Sequence, residues 1–270
     1  MSAITHPWDY LIVSASNPTQ AAAYEAQLQL RRDITGFSGE VRDILVVPDV
    51  DGVRIGSGGS IIHCLISILN RERTLGRLRG TAPGDLEAAL TRLRVLIVQA
   101  GGDSRRLPAY SPCGKIFLPL PGDHDSAVGR TLFDRQMPIY LALPPSPPDH
   151  GQVVITAGDV LLDFDPGLVR FDRPGLTGLG CYAAPEEAAG HGVFCPGQGD
   201  RVRRFLQKPS PEQQRARGAV DRYDRAVLDV GTRSFDAATA ARLLQWACGR
   251  PALGRPPSRP DSVPWPGFLP

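Results

Sequence analysis

The chain has 270 residues, 42% of them hydrophobic, with 30 basic and 28 acidic side chains and a net charge of +2. That length supplies a sizeable core in one large or two small domains, and the near balance of charge lacks the overall signature of a nucleic-acid binder. Five scattered cysteines (Cys64, Cys113, Cys181, Cys195, Cys248) form no C-x-x-C pair, against a zinc site or disulfide framework. No apolar run approaches the about 20 residues that span a bilayer, and Met1–Tyr10 lacks the basic start and apolar core of a signal peptide, so the expectation is a soluble, cytoplasmic protein.

Tyr10-Leu11-Ile12-Val13 predicts a strand closed by a turn at Ser14-Ala15-Ser16-Asn17-Pro18. Thr19–Arg32, rich in Ala, Gln, Glu and Leu, predicts a helix. Ile44–Val47 is a second β-branched strand, followed by the tight-turn pair Asp51-Gly52. Gly56-Ser57-Gly58-Gly59-Ser60 reads as a glycine loop, with a helix from Ile61 to about Asn70. A helical pattern over Asp85–Arg94 puts Leu86, Leu90 and Leu93 on one face, and Val95–Gln99 is the next strand. Pro144–Pro148, with four prolines in five residues, is a surface connector; Val153–Thr156 is a strand ending in Ala157-Gly158-Asp159. Seven prolines between Pro251 and Pro270 prevent regular structure and predict an extended or disordered tail over 249–270. Strands alternate with helices, and the strands are continuous apolar runs. The pattern indicates an α/β fold with a mostly parallel central sheet flanked by helices on both faces, whose ligands bind beyond the carboxyl ends of the strands.

The most informative stretch is Ala100-Gly101-Gly102-Asp103-Ser104-Arg105-Arg106-Leu107-Pro108, running on to Lys115, directly behind Val95–Gln99. Glycines let the backbone N–H groups approach phosphate oxygens, and Arg105, Arg106 and Lys115 can neutralise charge that develops during phosphoryl or nucleotidyl transfer. Gly56–Ser60 before a helix serves either as an anion loop or as a plain turn. It lacks both the Gly-Lys-Ser/Thr ending of a Walker A loop and the G-x-G-x-x-G spacing of a dinucleotide fold. Asp159 can coordinate Mg²⁺, a hard cation that takes carboxylate and phosphate oxygens, or serve as a turn aspartate. Lys208, in Phe205-Leu206-Gln207-Lys208-Pro209, can grip a second phosphate or be an ordinary surface lysine. Asp229 sits inside the apolar run Leu228-Asp229-Val230-Gly231, and burying it demands a metal or hydrogen-bond donors, unless it faces solvent. Asp163 and Asp165 read as turn or capping residues, and the arginines between 201 and 225 as a solvated face.

Together these residues resemble the sugar-1-phosphate nucleotidyltransferases, whose signature is a strand, then Ala-Gly-Gly-x-Gly-x-Arg-Leu-x-Pro, then a lysine. Here Ser104 replaces a glycine, Pro108 comes one place early, and Gly114 stands in place of the proline before Lys115. With the additional Gly-Ser-Gly-Gly-Ser segment, residues 8–245 look closest to the GDP-fucose pyrophosphorylase (fucose-1-phosphate guanylyltransferase) domain, also found in bifunctional fucokinase enzymes; 95–120 is the most specific part. The resemblance implies a Rossmann-like, GT-A type catalytic domain over 8–248. It also implies a reaction of GTP with fucose 1-phosphate to GDP-fucose and pyrophosphate, with Mg²⁺. It assigns Arg106 and Lys115 to catalysis, and Gly58, Gly59, Gly101, Gly102, Arg105 and Arg106 to the nucleotide. Lys208 falls to the sugar phosphate, and Asp159 and Asp229 to the metal. Neither nucleic acid nor membrane is an expected partner. A non-catalytic nucleotide- or sugar-phosphate-binding homologue, or a transferase for mannose or glucose, is the alternative.

Overall fold

The apolar runs of the first half become adjacent parallel strands in a computed structural model, which describes residues 7–35, 40–80, 82–102, 114–121, 130–199 and 201–247. Arg105, Arg106, Cys113, Cys248 and the proline-rich segment 249–270 lie outside the described residues. The chain divides into two compact units: residues 1–177 with 234–270, and an inserted segment, Gly178–Arg233.

In the first unit, β1 (Trp8–Ala15), β2 (Val41–Pro48), β3 (Arg94–Gln99) and β4 (Gln152–Ala157) stand in the order β2-β1-β3-β4. All three pairings are parallel, with Tyr10 opposite Asp43 and Val95, and Val95 opposite Val153. Parallel neighbours need crossovers, supplied by α1 (Pro18–Thr35), α2 (Gly56–Thr74), α3 (Pro83–Thr91) and α4 (Leu132–Leu141). Tyr10, Ile12, Val95, Ile97, Val153 and Ile155 face one way, into a core closed by α2, α3 and α7 (Ala237–Ala247). Leu11, Val13, Leu96 and Val98, equally buried, alternate to the other face. There Tyr24 of α1 donates to the Ala100 carbonyl, while Tyr140 of α4 donates to that of Ala157. Burial on both faces explains the unbroken apolar runs.

β1 runs on through Ser14 and Ala15, where the sequence predicts a turn, and two further boundaries also differ from the expectation. The glycine segment 56–60 is the first turn of α2 rather than a loop before it. Gly is a poor helix former, but this turn is carried by the buried Ile62, Leu65, Ile66 and Leu69 that follow. The helix expected over Asp85–Arg94 ends at Thr91, and Arg94 already belongs to β3.

The second unit does not continue the parallel pattern. It holds most of β5 (Leu176–Ala183) and β8 (Ala226–Phe235), with α5 (Pro185–Ala188), β6 (Gly192–Pro196), β7 (Val202–Gln207) and α6 (Pro211–Ala216). β6 pairs antiparallel with both β7 and β8. The five residues from Gly197 to Arg201 are too few for a parallel crossover of a dozen or more, so the strand must turn straight back. Ala188, Val193, Cys195, Ala219 and Ala226 make a small core. Buried Gln214 donates to the Pro185 and Pro209 carbonyls and ties α5 to the start of α6. The chain is therefore mixed α/β, with a parallel sheet in one unit and antiparallel pairing in the other.

Candidate functional site

From β1 the chain crosses to β2 on one side, then returns past β1 to β3 on the other. Diverging crossovers of this kind leave a crevice beyond the carboxyl ends of the two central strands, where open α/β sheets bind ligands. A cavity of about 240 Å³ lies there. Its walls are the ends of β1 (Ser14, Ser16), β2 (Asp49) and β3 (Gln99, Gly101, Gly102), the first turn of α2 (Gly56, Ser57, Ser60), and Arg54.

The glycine turn after β3 is held from below. Ser14 Oγ accepts from the Ala100 N–H at 3.2 Å. Buried Gln20, near the start of α1, accepts from the Ser16 N–H and hydroxyl and donates to the Gly102 carbonyl. Asn17 caps the same helix by accepting from the Gln20 N–H at 2.9 Å. Gln99 Nε2 donates to the Ser57 carbonyl, joining the end of β3 to α2.

Beside that turn, Lys115 Nζ donates to Asp159 Oδ2 at 2.8 Å. Asp159 reaches this place because Gly158, just after β4, packs on the end of β3. Its N–H donates to the Gln99 carbonyl at 2.9 Å, and a Cβ there would stand 2.8 Å from that oxygen and 3.0 Å from Ala100 Cα. Lys115 opens a 3₁₀ turn, Lys115–Phe117, in which Ile116 and Phe117 are buried. Phe117 packs edge-on to Tyr24 and beside Phe133, under the guanidinium of Arg31 at 4.9 Å. Arg31, itself 1% exposed, grips both Asp134 oxygens at 2.6 and 2.8 Å. The lysine thus projects from a fixed base. The pair itself is half exposed, 46% and 49%. Exposed pairs contribute about 0–1 kcal/mol, so a phosphate or a cation competes for either partner at little cost.

Asp49, immediately after β2, was not singled out in the sequence. Ser60 and the Ile55 N–H at the head of α2, with His63 and Arg54, lie close enough to favour its charged form. Burial pushes this carboxyl above its ordinary range against those favourable contacts. Burial likewise holds His63 below the usual imidazole value, although Asp49 pulls it the other way. The neighbouring Cys64 thiol is pushed up to about 12, by burial first and by Asp49 second, and so stays protonated.

Of the expected residues, Gly101 and Gly102 line the cavity, and Gly58 and Gly59 stand in the α2 turn that borders it. Lys115 and Asp159 come together, while Arg105 and Arg106 lie outside the described residues. Lys208 and Asp229 belong to the second unit. Lys208 is exposed after β7 at φ 47°, its N–H donating to the His191 carbonyl. Asp229 is 6% exposed, and its charge is met by Arg233 and by the Gly231 N–H. Asp165 caps the turn at 166–168 by accepting from the Gly167 N–H. Among the described residues no three His, Cys, Asp or Glu side chains gather as a metal centre, and no helix is long and apolar enough to cross a membrane. Ser14, Ser16, Asp49 and Gln99 were missed. The available signal was positional: each stands at the carboxyl end of a strand, as Asp159 does.

Residues 87–260 match the family model described as the fucose pyrophosphorylase domain. The chain is 30% identical over 269 residues to the bifunctional fucokinase/GDP-fucose pyrophosphorylase of Arabidopsis thaliana, covering 91% of this chain and 25% of that protein. It is 30% identical over 176 residues to the L-fucokinase/L-fucose-1-P guanylyltransferase of Bacteroides fragilis, covering 62% and 17%. It is 29% identical over 234 residues to the human fucose-1-phosphate guanylyltransferase, covering 80% and 34%. The chain thus spans about a third or less of the length of these curated relatives.

Proposed function

Because the chain belongs to the fucose pyrophosphorylase domain family, we propose that it is a sugar-1-phosphate nucleotidyltransferase that joins GTP and fucose 1-phosphate to GDP-fucose, with release of pyrophosphate. The first unit is read as a GT-A type, Rossmann-like catalytic fold. The carrying observation is the Lys115–Asp159 pair, with Asp159 brought to the carboxyl end of β3 by the packing of Gly158 on Gln99 and Ala100.

The chemistry asks for little beyond placement and charge. A phosphate oxygen of the sugar 1-phosphate bonds to the α-phosphorus of the triphosphate. The bond from that phosphorus to the α–β bridging oxygen breaks, and its electron pair leaves on pyrophosphate. The attacking phosphate is already ionised, so no covalent protein nucleophile or general base is required, and catalysis rests on positioning and electrostatic stabilisation. The backbone at Gly101-Gly102 would cradle phosphate oxygens, and Lys115, exchanging Asp159 for phosphate, would offset the charge on the transferring group. Arg105 and Arg106 would serve the triphosphate in the same way. Asp159 fits Mg²⁺, which binds through one or two carboxylates together with substrate phosphates. When bound, the ion would offset charge on the phosphoryl oxygens. Asp229 fits that part less well, since Arg233 already meets its charge and the Gly231 N–H takes one of its oxygens.

The test is pyrophosphate release from the full chain, pairing GTP, UTP, dTTP, ATP and CTP with fucose, mannose and glucose 1-phosphates, with and without Mg²⁺. The fastest release is expected from GTP with fucose 1-phosphate in the presence of Mg²⁺. No release from any pair would refute the catalytic reading and leave a binding protein.

A further inference from the structure

A backbone turn holds an anion with its N–H groups, so its carbonyl oxygens must face elsewhere. In the turn after β3 that choice is made from α1. Gln20 and Tyr24 stand one helical turn apart on one face of α1. They are 4% and 0% exposed, and neither is among the cavity walls. Tyr24 Oη donates to the Ala100 carbonyl at 2.8 Å, and Gln20 Nε2 donates to the Gly102 carbonyl at 3.3 Å.

The Gln20 amide can face only one way. The Ser16 N–H is a donor, so the amide oxygen must be the end that meets it, at 2.8 Å, and the amino end is left for Gly102. Asn17 closes the arrangement, accepting from the Gln20 N–H and donating to the Ser16 hydroxyl. In a planar trans peptide the C=O and the N–H point in opposite directions. Tyr24 draws the Ala100 oxygen towards α1, so the Gly101 N–H points away from α1, to the side on which the first turn of α2 walls the cavity. Gly102 has φ 139°, a conformation that favours glycine. Without Gln20 its carbonyl would be able to swing into the cavity and repel a phosphate.

We propose that Gln20 and Tyr24 are positioning residues for phosphate. They turn the Gly102 and Ala100 carbonyls out of the cavity and so aim the Gly101 N–H at a phosphate oxygen, without touching the ligand themselves. This deepens the nucleotidyltransferase reading and rests on the cavity being its phosphate site.

The probe is inorganic pyrophosphate, titrated into the full chain by calorimetry and by NMR. Carbonyl-labelled alanine with nitrogen-labelled glycine leaves three amide signals, those of Gly101, Gly158 and Gly190, the glycines that follow an alanine. In the wild type, pyrophosphate should move the Gly101 amide proton downfield by more than those of Gly158 and Gly190. Gln20→Met keeps the side-chain length and removes the donor. Tyr24→Phe keeps the ring on Phe117 and removes the hydroxyl. Both leave Asp49 and Arg54, whose charges also line the cavity, in place. Each variant should bind pyrophosphate about five- to tenfold more weakly, on the order of one hydrogen bond, with a smaller Gly101 shift. A purely structural role would lower the melting temperature and leave affinity and shift as in the wild type, which would overturn the proposal. So would wild-type binding that leaves Gly101 unmoved, or no pyrophosphate binding at all. These wild-type outcomes need no variant, and Tyr24→Phe suffices should Gln20→Met fail to fold. Pyrophosphate release from GTP with fucose 1-phosphate is followed in parallel. Its absence beside the expected Gly101 response refutes the catalytic reading and leaves the role of Gln20 and Tyr24 standing.

Discussion

Replacing Gly114 tests whether Lys115 is held by the fold or merely happens to reach Asp159. Gly114 has φ 63° and ψ 165°, a region open essentially to glycine alone, where a side chain costs about 1–3 kcal/mol. Proline, the residue at this place in the wider superfamily signature, is excluded outright because its ring fixes φ near about −65°. Space is the second obstacle. An ideal Cβ would stand 1.8 Å from Tyr24 Oη and 2.6 Å from Tyr24 Cζ. Tyr24 is fully buried and donates to the Ala100 carbonyl at 2.8 Å. Moving the ring would orphan that carbonyl, at about 1–3 kcal/mol. The two costs together give Gly114→Ala a destabilisation of about 2–6 kcal/mol. At about 2–4 °C per kcal/mol for a domain of this size, its melting temperature should fall by at least about 4 °C. Thermal melts by circular dichroism measure this, with Gly84→Ala as the control. Gly84 lies in α3 with nothing within 4 Å of an added Cβ, and alanine there should be neutral or stabilising by up to about 1 kcal/mol. Because the ring that must move supports both Phe117 and Ala100, pyrophosphate release by Gly114→Ala should fall along with stability. A variant that melts within about 2 °C of the wild type would refute the reasoning, since that allows about 1 kcal/mol at most.

Lys115→Ala should lower pyrophosphate release by at least about tenfold, roughly 1.4 kcal/mol of barrier, with an unchanged melting temperature because its ion pair is exposed; full turnover would remove it from catalysis. Arg31→Met leaves Asp134 partly buried without its cation and should cost about 3–5 kcal/mol in denaturant titrations; a loss below about 1 kcal/mol would show that the pair does not anchor Phe117. At Asp134 burial raises the carboxyl pKa, but hydrogen bonds from Arg31 and Thr131 outweigh it and hold the folded value below the ordinary one. Asp236, bonded by Thr239 and the Gly175 N–H, is depressed in the same way. A depressed folded carboxyl stabilises the fold above its unfolded pKa of about 3.9 and loses that contribution as pH falls through the folded value. Melting temperature should therefore drop steeply below about pH 4, and Asp134→Asn should make that acid limb shallower; an unchanged limb would refute the assignment.

The parallel sheet was readable because strands buried on both faces carry unbroken apolar runs, and Tyr10–Val13, Ile44–Val47, Val95–Gln99 and Val153–Thr156 all lie within strands. The first turn of α2 was not, because its glycines argue locally against a helix that downstream burial of Ile62, Leu65, Ile66 and Leu69 enforces. α4 was hidden by Pro138 inside it. It persists because Phe133, Met137 and Tyr140 bury one stripe and Asp134 accepts from the Thr131 N–H at its head. The antiparallel pairing of β6 with β7 follows from the short connection between them, and in β7 the exposed Arg203 and Arg204 interrupt the apolar signal. As for the site, residue type and strand position name Lys115 and Asp159 and lead to the expectation that they face one pocket; that they touch directly, 44 residues apart, is visible only in the structure.

Asp229 shows why a buried carboxylate alone does not mark a metal. The sequence posed the right demand, that something must offset its charge, without saying what. Gly231, at φ 79°, breaks the regular path of β8. Its N–H then turns onto the Asp229 carboxylate, which also meets Arg233 four residues on. Both compensating groups come from the same ten-residue strand, so the charge has a counter-charge before any ligand arrives. Asp159 is the contrary case. Its counter-charge comes from a segment remote in sequence, it stays half exposed, and it stands at the strand edge where a phosphate can reach. A carboxylate whose partner is local serves the fold. One whose partner is remote, weakly held and displaceable is open to exchange, and on that ground Asp159 is the carboxylate proposed to hold the cation of a substrate's phosphates.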